Sequence, residues 1–102
     1  MLSQVIGKPA MLEQTAEEAV ELAHAALKLA RYLRGENEVY GRSEYEMEVQ
    51  LVDEIADILV CIDELKDANL IEEDDLNQHV AFKLDRMEDR LKEKGQPHPQ
   101  YP

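Results

Sequence analysis

Glycine and proline stand only at the margins of three long stretches of this chain. Gly7 and Pro9 precede the first stretch, Gly35 and Gly41 separate it from the second, and Gly95 with three prolines follows the third. Between these breakers the sequence is rich in Ala, Leu, Glu and Lys, which enter helices at least cost. No segment carries the two-residue alternation of a strand. The breaker spacing therefore predicts an all-α chain.

The first helix is expected from about Pro9 to Arg34, with proline in the first turn, where its missing N–H costs nothing. Leu12, Ala19, Ala26 and Leu33 recur every seven residues, with Ala16, Ala23 and Ala30 between them. That alanine-rich face suits close approach of another helix. Gly35 closes the helix, and GENEVYGRS reads as a loop. Ser43 followed by Glu46 forms a capping box that opens a second helix, running to about Lys66. Its stretch IADILVCI, Ile55 to Ile62, is apolar all round and predicts the central, most buried element. A third helix is expected from about Glu73 to Lys94, begun by the acidic turn EEDD. Leu76, Val80, Leu84, Met87 and Leu91 form its narrower apolar stripe. The expected organisation is one all-α domain over residues 1–95, an antiparallel helical hairpin plus a third helix. A proline-rich tail over 96–102, QPHPQYP, is expected to be extended or disordered.

With 102 residues, so few helices leave an apolar face uncovered. The expected remedy is a homodimer or homotetramer with a four-helix-bundle core between subunits. Eleven Lys+Arg against 23 Asp+Glu give a net charge of -12, which argues against nucleic acid as a partner. Cys61 is alone and cannot form an internal disulfide. The N-terminal MLSQVIGKPAML lacks an apolar stretch long enough for a signal peptide or a membrane span. These features predict a cytoplasmic protein with no membrane partner.

The chemistry resides in carboxylates. Glu18 and Glu21 lie one turn apart on the first helix, with Glu17 beside them, and Glu54 and Asp57 repeat that spacing on the second. Asp57 is the only charge between Ile55 and Ile62, and burying a carboxylate requires a cation, a hydrogen-bond partner or a proton. In an antiparallel hairpin the two pairs face each other and offer an oxygen-only site suited to Mg²⁺. Solvated surface charge would also account for Glu17, Glu21 and Glu54, and a salt bridge for Asp57. His24, His79 and His98 are too scattered for a zinc site.

On the third helix Lys83, Arg86 and Arg90 align beside the apolar stripe, with His79 one turn earlier. They are suited to phosphate contact, or equally to salt bridges with neighbouring acidic helices. Cys61 reads as a small core residue and the methionines as core fillers. Tyr32, Tyr40 and Tyr45 could stack on a base but are better suited to covering the open end of the hairpin. GENEVYG lacks the spacing and lysine of a P-loop.

EEAVE at Glu17–Glu21 followed by EIAD at Glu54–Asp57 resembles the EExxE…ExxD signature of the all-α nucleoside triphosphate pyrophosphohydrolases. That superfamily includes MazG-like proteins, dimeric dUTPases and phosphoribosyl-ATP pyrophosphatases. MLEQTAEEAVELAHAALKLAR and LVDEIADILVCIDEL are similar to its small MazG-like branch, and the likeness runs from Gly7 to Leu91. The resemblance implies hydrolysis of a (d)NTP to the (d)NMP and pyrophosphate with Mg²⁺, for which Mn²⁺ could substitute, in nucleotide-pool housekeeping. It gives metal ligation to Glu18, Glu21, Glu54 and Asp57, and an outer or additional ligand role to Glu17. It gives the phosphates to Lys83, Arg86 and Arg90. The segment between Glu21 and Glu54 is longer than usual, and Gln14 stands where phosphoribosyl-ATP pyrophosphatases carry lysine, which argues against their substrate. The competing reading is a catalytically silent helical interaction protein that keeps the carboxylate site. A di-iron or di-manganese bundle would need paired Glu-x-x-His motifs, and Glu21–His24 is the only copy.

Overall fold

The computed structural model describes residues 2–36 and 43–94, and among them every regular element is α-helical. The helices are α1 (Leu2–Ile6), α2 (Lys8–Leu33), α3 (Glu44–Asp67) and α4 (Glu73–Glu93). The chain divides into two compact units, Met1–Leu70 and Ile71–Pro102. The first contains α1, α2 and α3; the second contains α4. Tyr40, Gly41 and the tail from Gly95 lie outside the described residues.

Local chemistry sets these boundaries. α1 was not foreseen: Gly7, at φ 87°, takes a backbone angle that side chains disfavour and separates it from α2. Pro9 then sits in the first turn of α2. Gly35, at φ 71°, ends α2 in a Schellman turn, its N–H bonding Tyr32 O while Glu36 N–H bonds Arg31 O. Ser43 Oγ accepts from Glu46 N–H at 3.1 Å and starts α3 as its spacing requires. α3 ends in a second Schellman turn with Asn69 at φ 58°, where Leu70 N–H reaches Leu65 O.

α2 and α3 pack as an antiparallel pair, with α1 against both. Their core is small: Met11, Ala25, Met47, Cys61 and Leu65 are its buried apolar residues. Met11 and Met47 are 1% exposed, as expected of core fillers, whereas Met87 is 46% exposed because nothing among the described residues covers the stripe of α4 on which it lies. The expectation for Ile55–Ile62 is overturned within the chain. Only Cys61 of that stretch is buried; Ile55, Leu59 and Val60 are exposed, as is Asp57. The reason is geometric, since α2 and the short α1 cover only part of α3 while this sequence is apolar on several sides. Likewise the face Leu12, Ala16, Ala19, Ala23, Ala26 is exposed, because α2 turns Met11, Glu18, Leu22 and Ala25 inward instead. Tyr32 and Tyr45 are also exposed, and the loop between them lies largely outside the described residues. No helix among the described residues is long and apolar enough to cross a membrane.

Candidate metal centre

Two carboxylate pairs meet across the α2–α3 contact. Glu18 and Glu21 project from successive turns of α2, and Glu54 and Asp57 from successive turns of α3, running in the opposite sense. One carboxylate oxygen from each of Glu18, Glu21 and Glu54 lies within 4.8 Å of the others. Asp57 stands outside this group of three but near enough to Glu18 for its charge to raise the Glu18 carboxyl. Glu21 acts on Glu54 in the same way, through its charge. Glu17 is exposed and lies outside this group.

The electrostatics are those of crowded like charges. Glu18 is held above the ordinary glutamate range by burial first, then by the charges of Glu21, Asp57 and Glu54. Glu54 is raised in the same way, by burial and then by Glu21 and Asp57. Among the described residues, Oε2 of Glu18 and Oε2 of Glu54 are buried and meet no hydrogen-bond donor. Gln14 Nε2 donates to Glu18 Oε1 at 2.9 Å and fixes the orientation of that carboxyl. Two buried acceptors without donors, among mutually repelling carboxylates, are an unusual arrangement in a folded chain. An all-oxygen, all-anionic donor set fits a hard divalent cation such as Mg²⁺ or Mn²⁺ and suits a soft one poorly.

The site extends further than the motif. Beside Glu18 and Asp57, a cleft is lined by Leu2, Met11, Gln14, Val60, Cys61 and Glu64. Glu64 is only 8% exposed, the one buried carboxylate side chain among the described residues. Sequence reasoning passed over it, although it lies seven residues beyond Asp57 and so shares its side of α3. The Cys61 thiol is pushed up chiefly by burial, consistent with a core role and not a reactive one.

Lys83, Arg86 and Arg90 all lie exposed on α4, in the second unit. Together with Met87 they line one shallow groove; His79, Gln78, Phe82 and Lys83 line another. The Arg86 guanidinium sits 5.8 Å from the centre of the Phe82 ring.

No protein-family model, curated protein or solved structure matches this chain.

Proposed function

We propose that the carboxylate centre binds Mg²⁺ and that the protein is a nucleotide pyrophosphohydrolase, cleaving a (d)NTP to the (d)NMP and pyrophosphate in the cytoplasm. The observation that carries this reading is the pair of buried, donorless oxygens on Glu18 and Glu54, grouped with Glu21. A divalent cation would satisfy both oxygens and relieve the repulsion that raises their pKa values.

Glu18, Glu21, Glu54 and Asp57 would hold the ion, with Gln14 orienting Glu18. Bound there, Mg²⁺ or Mn²⁺ would neutralise phosphate oxygens and acidify a coordinated water. Glu17, one residue from the centre and exposed, is available for a water or an outer contact. Lys83, Arg86 and Arg90 supply positive charge that is scarce in this acidic chain. The exposed apolar faces of α2 and α3 support association of copies into a homodimer or homotetramer with a four-helix core. The same faces favour the competing reading, a catalytically silent interaction protein.

The test is product release from a panel of canonical and modified (d)NTPs with Mg²⁺, with Mn²⁺ and with excess EDTA. Monophosphate and pyrophosphate formed only with metal, and lost in Glu54→Gln and Asp57→Asn of unchanged helical circular dichroism, support the enzyme. A folded protein that turns over no triphosphate rejects it and leaves the interaction protein.

A further inference from the structure

α4 carries a pattern that the nucleotide reading does not use. Val80, Leu84, Met87 and Leu91 follow one another at spacings of four, three and four, the a/d rhythm of a coiled coil. Val80, Leu84 and Met87 are each about half exposed, so the stripe lies open. Asn77 continues the rhythm one step toward the N-terminus and occupies an a position. A single asparagine at an a position sets register and strand number in paired helices.

The flanks are charged with opposite sign. Lys83 and Arg90 directly precede the a residues Leu84 and Leu91, on one edge of the stripe. Glu88 directly follows the d residue Met87, on the other edge. Among the described residues neither Lys83 nor Glu88 is in an ion pair. At five residues apart they do not face each other on their own helix. On two parallel helices in register, however, the preceding flank of one meets the following flank of the other, and Lys83 of each copy meets Glu88 of its mate. An antiparallel pair would instead set the basic edges Lys83 and Arg90 against each other, and Glu88 against the acidic side.

We infer that α4 pairs with α4 of a second copy as a short parallel coiled coil, with Asn77, Val80, Leu84, Met87 and Leu91 in the seam. This does not require the nucleotide reading and revises one part of it. It assigns Lys83 to the partner helix, while Arg86, on the side away from the seam, stays available to phosphate.

Directional cross-linking of the full chain tests it. In a Cys61→Ala background that retains its helical circular dichroism, cysteine is placed singly by Asn77→Cys, Leu84→Cys, Leu91→Cys and, on the outer face, Asp85→Cys. Mild oxidation should convert the first three to disulfide-linked dimers and leave Asp85→Cys monomeric on non-reducing gels. Adding Lys83→Glu to Asn77→Cys should slow the cross-link, and adding Glu88→Lys as well should restore it. Cross-linking of Leu84→Cys alone means antiparallel pairing and overturns the inference. Absence of all cross-links, or equal reaction of Asp85→Cys, means that the stripe is covered by something else and overturns it too.

Discussion

Glu54→Gln should make the metal-free protein more stable, against the usual direction of a substitution at a partly buried site. Gln keeps the shape of Glu54 and removes one of four carboxylates that now repel each other. Its amide also brings two N–H donors to a centre where the Oε2 atoms of Glu18 and Glu54 have none. The pH dependence follows from the same charges. Glu18 and Glu54 are raised in the folded chain above the ordinary 4.5. Between 4.5 and those raised values the folded state binds more protons than the unfolded one, so stability falls as pH rises through that window. The metal-free wild type should therefore melt higher at the acidic end of the window than at neutral pH, and Glu54→Gln should flatten the slope.

Metal should reverse the order. An ion that binds only the folded state, at a hundred times its Kd, contributes about 2.7 kcal/mol. For a domain of this size that is a rise of about 10–20 °C in Tm. The wild type should gain it at neutral pH, gain less in acid where protons compete, and Glu54→Gln should lose most of it. Melts followed by circular dichroism, in EDTA and in MgCl2 at both pH values, measure all three effects. A variant that melts lower than wild type in EDTA yet gains as much from Mg²⁺ would refute the reasoning, for Glu54 would then be a structural acceptor.

Other expectations are more local. Leu59→Glu, measured by sedimentation equilibrium in a Leu84→Asp background that disables the α4 stripe, should raise the dissociation constant at the α3 face. Leu59 is 57% exposed, so losing its burial in both copies and desolvating two carboxylates costs at least about 3 kcal/mol, or about a hundredfold. Unchanged mass would show that this face is not an interface. Met47→Ala should cost about 2–5 kcal/mol in urea unfolding, because Met47 is one of only five buried apolar residues among those described. Asn69→Val should cost about 1–2 kcal/mol, since Asn69 sits at φ 58°, while Asn69→Gly should be close to neutral; paired melts would separate them.

The fold was legible where local chemistry acts alone. Ser43 with Glu46, Pro9 and Gly35 each force a boundary through one or two backbone groups, and the helices begin and end there. α1 was illegible because five residues before a glycine carry too few turns for a periodic signal. Asn69 escaped notice because a left-handed C-cap is most often glycine. At the site, the i, i+3 spacing put Glu18, Glu21 and Glu54 within reach of one another, since their convergence needs only an antiparallel hairpin, while Asp57 stands beside that group. Gln14 was read only as a mark against one substrate and Glu64 was passed over, because each belongs to the centre through a neighbour, Glu18 in one case and the shared cleft in the other.

Asp57 marks the point where reasoning about one chain gives way to reasoning about two. An aspartate set among Ile55, Ile58, Leu59 and Val60 invites the conclusion that it is buried, yet both it and three of those neighbours are exposed to some degree. At about 100° per residue, α3 divides into sectors. Met47, Glu54, Cys61 and Leu65 turn toward α2, Asp57 and Glu64 edge the cleft, and Val49, Val52, Ala56 and Leu59 occupy the far side. The apolar surroundings of Asp57 in sequence are thus two separate faces with the carboxylate sector between them. One is covered within the chain, and the other is exposed. Because the carboxylates lie on the side of α3 that meets α2, a partner on the far side can hold α3 rigid without blocking the cleft. Association and metal binding would then be separable by mutation, with Leu59→Glu affecting the first and Glu54→Gln the second.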